Sequence, residues 1–210
     1  MAESTLHDER TLISLIPFFQ KYCKAPNVDT HDTLLSRRTI HRYTSDPVDQ
    51  DIIRRALEAA HHAPCHRLTF PWRFLLVGPQ GRESIADLGV ALKQERTGLS
   101  PEAALAARTK LRAPDRLVVV CQAACSDPFQ AKEDYAACAC AIQNLTLSLA
   151  ADGVGSKWSS GAITRHPETY RICGIDPSEF EIIGFIWAGH PKETPTVNRP
   201  PLEAVVREIP

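Results

Sequence analysis

The stretch Glu133 to Ala151 constrains the fold more than any other part of the chain, because Ala136, Cys140, Ile142, Leu145, Leu147 and Leu149 leave it apolar on most of its circumference. A helix of that kind has to be surrounded by other elements. The spacing therefore predicts a buried core helix ending near Gly153, where a glycine can take the left-handed conformation that closes a helix. Two further runs read as strands packed near it. Leu117 to Cys121 and Glu181 to Ala188 are short, rich in branched apolar residues and bounded by turn formers.

The remaining elements follow from period and punctuation. Pro47 and Asp49 open a helix that sets Ile52, Ile53, Ala56, Leu57 and Ala60 on one face, and Pro64 stops it. Trp72 to Val77, between Pro71 and Gly78, suits a central strand. Helical spacing recurs at Arg82 to Arg96, Pro101 to Lys110 and Pro167 to Cys173, with a short strand at Lys157 to Ser160. Near the N-terminus, Leu12, Leu15, Ile16 and Phe19 predict a helix over Thr11 to Cys23, and Asp32 to Ser36 reads as the last turns of another. The tail beyond His190, with Pro191, Pro195, Pro200 and Pro201, reads as an extended arm able to wrap a partner subunit. The expected class is α/β (α+β), with an N-terminal helical extension over residues 1–30 and one domain over residues 31–210.

Composition excludes several functions. With 210 residues, 43% of them hydrophobic, the chain can bury one sizeable core. A net charge of -1 offers no general attraction to nucleic acid or to an anionic membrane. No apolar run approaches the roughly 18 residues that span a bilayer, and the first residues are charged. Seven cysteines without a Cys-x-x-Cys pair argue for reduced thiols and a cytoplasmic location. Cys121, Cys125, Cys138 and Cys140 are expected as small buried thiols.

Two groups of residues carry chemistry. Arg37 and Arg38, beside the Thr39 hydroxyl, can serve as charge-assisted donors to a phosphate dianion, or simply as a solvated helix end. His61, His62, Cys65 and His66 have spacings that could hold zinc, as in a metal-dependent hydrolase, although Pro64 interrupts the helix that such a site needs.

Three segments in order resemble the nitroreductase-like flavoproteins, particularly the subgroup with one compact domain per subunit. They are Ser36 to Tyr43 with the helix ending Ala59 to Pro64; Pro71-Trp72-Arg73-Phe74; and Ala141 to Leu145 followed by Gly153-Val154-Gly155, Trp158 to Ala162, Ile182 to Phe185 and Ala188 to Pro191. The likeness covers roughly residues 32–205. It implies a central, mostly antiparallel sheet flanked by helices, a homodimer with the pocket at its interface, and bound FMN reduced by NADH or NADPH. In this ping-pong cycle a small organic acceptor, such as a nitroaromatic or a quinone, then takes the electrons.

By the same resemblance Arg37, Arg38, Thr39 and Arg199 hold the phosphate, while His62, His66 and Arg67 lie along the ribityl chain and pyrimidine edge. Trp158, Ser159, Ser160 and Gly161 pass the ring, with a backbone N–H near Gly161 directed at the hydride-accepting N5. No protein acid or base is assigned. Phe70 stands where the pattern usually has a polar residue, often glutamine, which leaves open an aromatic pocket wall, a side chain packed in the core, and a flavin-binding protein with little turnover.

Overall fold

The computed structural model describes residues 28–209, so the expected helix over Thr11 to Cys23 lies outside the described residues. Seven helices and a four-stranded antiparallel sheet follow in the order α1 (Thr30–Ser36), α2 (Gln50–His61), β1 (Trp72–Leu76), α3 (Pro79–Thr97), α4 (Pro101–Arg112), β2 (Arg116–Ala123), α5 (Pro128–Ala151), β3 (Gly155–Ser159), α6 (Ala162–Arg165), α7 (Pro167–Cys173) and β4 (Phe180–Gly189). The strand order is β1-β2-β4-β3, every ladder antiparallel. The α+β class expected from the sequence is the one observed.

Alternation along β2 explains the layering. Val118 and Val120 face one core, with α2 and α5 over it; Leu117, Val119 and Cys121 face another, closed by α3, α6 and α7. A strand covered on both faces reads as a continuous apolar run. β1, by contrast, is an edge strand with Leu76 55% exposed, not the central one its sequence suggested. A five-residue apolar run cannot show whether a second neighbour will pair with it.

Local sequence sets the helix starts. Asp49 accepts from the Asp51 N–H to open α2 (2.8 Å), and Asp127 accepts from the Phe129 N–H ahead of Pro128 to open α5 (2.9 Å). The central helix thus begins before Glu133. It is not buried all round: Ile142, Leu145 and Leu149 seat it on the sheet, while Phe129, Tyr135, Ala136, Cys140 and Gln143 are exposed. The thiols divide accordingly. Cys121 and Cys138 are buried, and burial pushes both up to about 12; Cys125 and Cys140 are exposed, contrary to expectation. The spacing of Cys140 marks it as apolar without saying what would cover it.

The loop between α2 and β1 is the strained part of the backbone. Arg67, Leu68 and Phe70 have φ values of 56°, 55° and 44°, conformations that cost free energy in non-glycine residues. It is held by the Phe70 N–H donating to Cys65 Sγ (3.2 Å) and by the Thr69 hydroxyl donating to the buried Asp134 carboxylate (2.7 Å), which also accepts from Gln130 Nε2 (2.9 Å). Asp134→Ala leaves two donors without their acceptor and should cost about 1.5–3 kcal/mol in urea unfolding. Asp134→Asn, which keeps one acceptor oxygen, should cost less.

Candidate functional site

At the free edge of β3 the chain builds a recess whose electrostatics are unbalanced. Segment 37–43 runs beside β3, joined through the Thr39–Ser156 bridge and the Ile40 N–H donating to the Ser156 carbonyl (3.0 Å). Gly155 makes this approach possible, since a Cβ there would stand 2.6 Å from Ile40 Cγ1. Arg37, Thr39, Trp158 and Ser160, together with Ile142, Gln143 and Thr146 of α5, line a polar recess of about 280 Å³.

Charge is concentrated on one side of it. Burial, then Arg199 and Arg38, lower the Arg37 guanidinium from its ordinary value. Among the described residues neither Arg37 nor Arg199 has a hydrogen-bond partner or a carboxylate. Arg38 is different: its Nη1 donates to the Leu35 carbonyl (2.6 Å) and the Arg37 carbonyl (2.9 Å), so it also closes the end of α1. Three like charges that repel one another, at least two of them without a counter-ion, suit an anion with several acceptor oxygens. The tail reaches this region through the Lys192 N–H donating to the Arg42 carbonyl (2.9 Å), which carries Arg199 back toward Arg37.

Trp158 walls the recess because β4 provides no side chain beneath it. A Cβ on Gly184 would lie 2.0 Å from Trp158 Nε1, so glycine allows the indole to lie on the strand. Trp158 is 37% exposed, and among the described residues its N–H has no partner, leaving it a free donor. Ser159 points to the opposite face, where its hydroxyl accepts from Trp187 Nε1 (2.9 Å). At Gly161, φ 141°, the chain leaves the strand; its N–H already donates to Thr164 Oγ1 (3.2 Å). The Ser160 N–H has no partner among the described residues.

The other predicted residues lie at the far side of the sheet. His62, His66 and Arg67 are exposed in the loop before β1, three strand spacings from β3, or roughly 14 Å. His66 Nε2 is 3.8 Å from Glu133 Oε2. The neighbouring His61, Phe70 and Trp72 form an aromatic triangle with centroids 5.9 to 6.0 Å apart, in which Trp72 Nε1 donates to His61 Nδ1 (3.1 Å). His61 and His66 are thus turned to different partners, and among the described residues no cluster of histidine, cysteine and acid has metal-binding geometry. Phe70 is 43% exposed and is part of a surface, not of the core. Gln143 and Thr146 were not singled out in the sequence: on a helix read as core, no local signal marks the polar positions that meet a recess.

An antiparallel sheet sandwiched by helices, with an arginine-rich recess at its edge, defines an α+β class. The Nitroreductase family model matches residues 34–190, and the chain belongs to that family, which places it among oxidoreductases. A relative in Bacillus subtilis (strain 168), named "Putative NAD(P)H nitroreductase YfhC", is 32% identical over 171 residues, covering 80% of this chain and 87% of that protein. The crystal structure of a nitroreductase-like family protein from Bacillus cereus aligns with a TM-score of 0.76 at 24% identity, over 88% of this chain and 97% of that one. A Desulfovibrio desulfuricans structure described as a "putative nitroreductase in complex with fmn" aligns with a TM-score of 0.68, also at 24% identity, over 88% and 99%.

Gly184→Ala should force Trp158 off the strand, cost about 1–3 kcal/mol and shift the tryptophan fluorescence of the folded protein. Gly78→Ala, with nothing within 4 Å of the new methyl group, serves as the neutral control.

Proposed function

We propose that the protein is an FMN-dependent oxidoreductase that uses NADH or NADPH to reduce a small organic acceptor, with the FMN-binding unit spanning residues 31–210. The observation that carries this reading is the set of arginines without acids around Arg37. A phosphate dianion supplies the missing countercharge, with Arg37 and Arg199 as donors, Thr39 and Trp158 as neutral donors, and Arg38 contributing charge while it closes α1.

FMN held there would supply two-electron chemistry between the reduced nicotinamide and the acceptor. The protein's part is placement and polarity. Gly161, without a side chain, lets the ring approach the turn, and the unpartnered Ser160 N–H beside it is the available backbone donor.

His62, His66 and Arg67 join this site only across a two-fold axis. The loop carrying them is anchored to α5 at Asp134, whereas the recess adjoins α5 at Ile142 to Thr146, some nine residues or roughly 13 Å along the helix. Antiparallel pairing of two α5 helices about an axis between these positions brings the partner subunit's loop to the recess, and an isologous interface does so twice. The exposed Phe129, Tyr135, Ala136 and Cys140 form the apolar face such pairing would cover. His66, and Arg67 in its strained conformation, would then meet the ring from the partner. The exposed Phe70 and His61 would wall the acceptor side.

Two experiments test this. Purified protein supplied with FMN should retain it and lose flavin absorbance anaerobically on adding NADH or NADPH; bound flavin that stays oxidised would instead favour a flavin-binding protein without turnover. Arg37→Gln should weaken FMN binding by about 1.5–3 kcal/mol, roughly 10- to 150-fold, in a flavin titration. The second experiment concerns assembly. Sedimentation should give twice the 23.2 kDa chain mass, and Ala136→Glu should yield monomers that have lost FMN. A monomer retaining full flavin affinity would contradict the shared site.

A further inference from the structure

On the sheet face opposite the arginine recess lies a second cavity of about 310 Å³, between α3, α4 and the edge of β3. Leu92, Leu111, Ile163 and the ring of Trp187 give it apolar walls. That volume is at the lower end of the range for small-molecule pockets, roughly 300–1,000 Å³. The cavity persists because Trp187 is tied to Ser159 by its indole N–H, and because Gly89 on α3 carries no side chain to fill it: a Cβ there would stand 2.8 Å from Leu111 Cδ1.

Around these walls stand Lys93, Arg96, Lys110 and Lys157, and no carboxylate lines the cavity. Among the described residues none of the four has an ion-pair partner, although other cations on the same helices do: Arg108 and Arg112 are paired with Glu83, and Arg108 also with Asp87. Lys157 is half-buried in β3, and both its burial and the neighbouring Lys110 disfavour its charge. A single acid, Glu102, enters only in an adjoining groove between α4 and segment 41–43. An apolar chamber with unbalanced positive charge at its rim has a definite complement: an apolar body bearing one anionic group.

We propose that this cavity is a second small-molecule site, taking an organic anion with an apolar body, such as a medium-chain or aromatic carboxylate. The anionic group is held between Lys110 and Lys157, and the body lies against Leu92, Leu111, Ile163 and Trp187. Ala162 and Ile163, which line the cavity, directly follow the Gly161 turn of the flavin reading, so an occupant would lie beside that site without entering the arginine recess. The binding itself rests on the cavity alone.

Calorimetric titration of the FMN-loaded protein with octanoate, and with octanamide as its uncharged counterpart, provides the test. Octanoate should bind with one-to-one saturation and octanamide at least tenfold more weakly. Lys110→Met, at an exposed position, and Lys157→Met should each weaken octanoate at least fivefold without changing the circular dichroism. Repeating the titration without FMN separates the two readings. If FMN does not bind while octanoate keeps its lysine dependence, the flavin reading falls and the cavity site stands. The site is overturned if octanoate fails to bind, if octanamide binds equally well, or if FMN displaces octanoate, which would make the cavity part of the flavin's own pocket.

Discussion

Ile142, Leu145 and Leu149 hold α5 against Val118, Val120 and Ile186 of the sheet, and the features around the site are referred to that contact. At one end of the helix Asp134 fixes the loop before β1; further along, Gln143 and Thr146 help form the arginine recess. Burial of these side chains is non-directional, so it provides stability without specifying chemistry. The specific geometry comes from polar groups arranged around it, each satisfied or left open by its neighbours.

Those open groups are unevenly distributed. Some cations elsewhere on the surface are paired with carboxylates, as Arg112 is with Glu83 or Arg171 with Glu168. Around Arg37 and around Lys157 they do not, and in both places burial works against the charge. Exposed ion pairs contribute little to stability, so leaving out a few acids costs the fold little. Leaving them out next to a cavity creates a potential that only an incoming anion can balance. One such place adjoins polar donors and a glycine turn; the other encloses an apolar chamber, and the two differ in what they would select.

Much of the fold was legible because local signals agreed with tertiary placement. Asp49, Pro167 and the apolar periods marked α2 and α7 close to their observed bounds, and the apolar run Leu117 to Cys121 marked a strand that falls inside β2. The misread positions share a cause. β1 has the composition of a central strand yet lies at an edge, and Cys140 and Ala136 have core-like chemistry yet face outward, because sequence records hydrophobicity and not the neighbour that covers it. Asp127-Pro128 could have revealed the earlier start of α5, since an acid before proline is a helix-start signal.

For the site, the sequence by itself determined the residue types: paired arginines beside a threonine, an aromatic and glycine turn after β3, and a basic tail residue at Arg199. Chemical identity is a property of each residue alone, so no fold is needed to read it. Only the tertiary structure decided which of them meet. It brought Arg199 to Arg37 across the chain, laid Trp158 on Gly184, turned Ser159 away, and left His62, His66 and Arg67 on the opposite edge of the sheet. It also assembled Lys110 and Lys157 over a cavity that no motif announces. Proximity between distant segments is set by sheet order and side-chain alternation, which arise only when the whole chain packs at once.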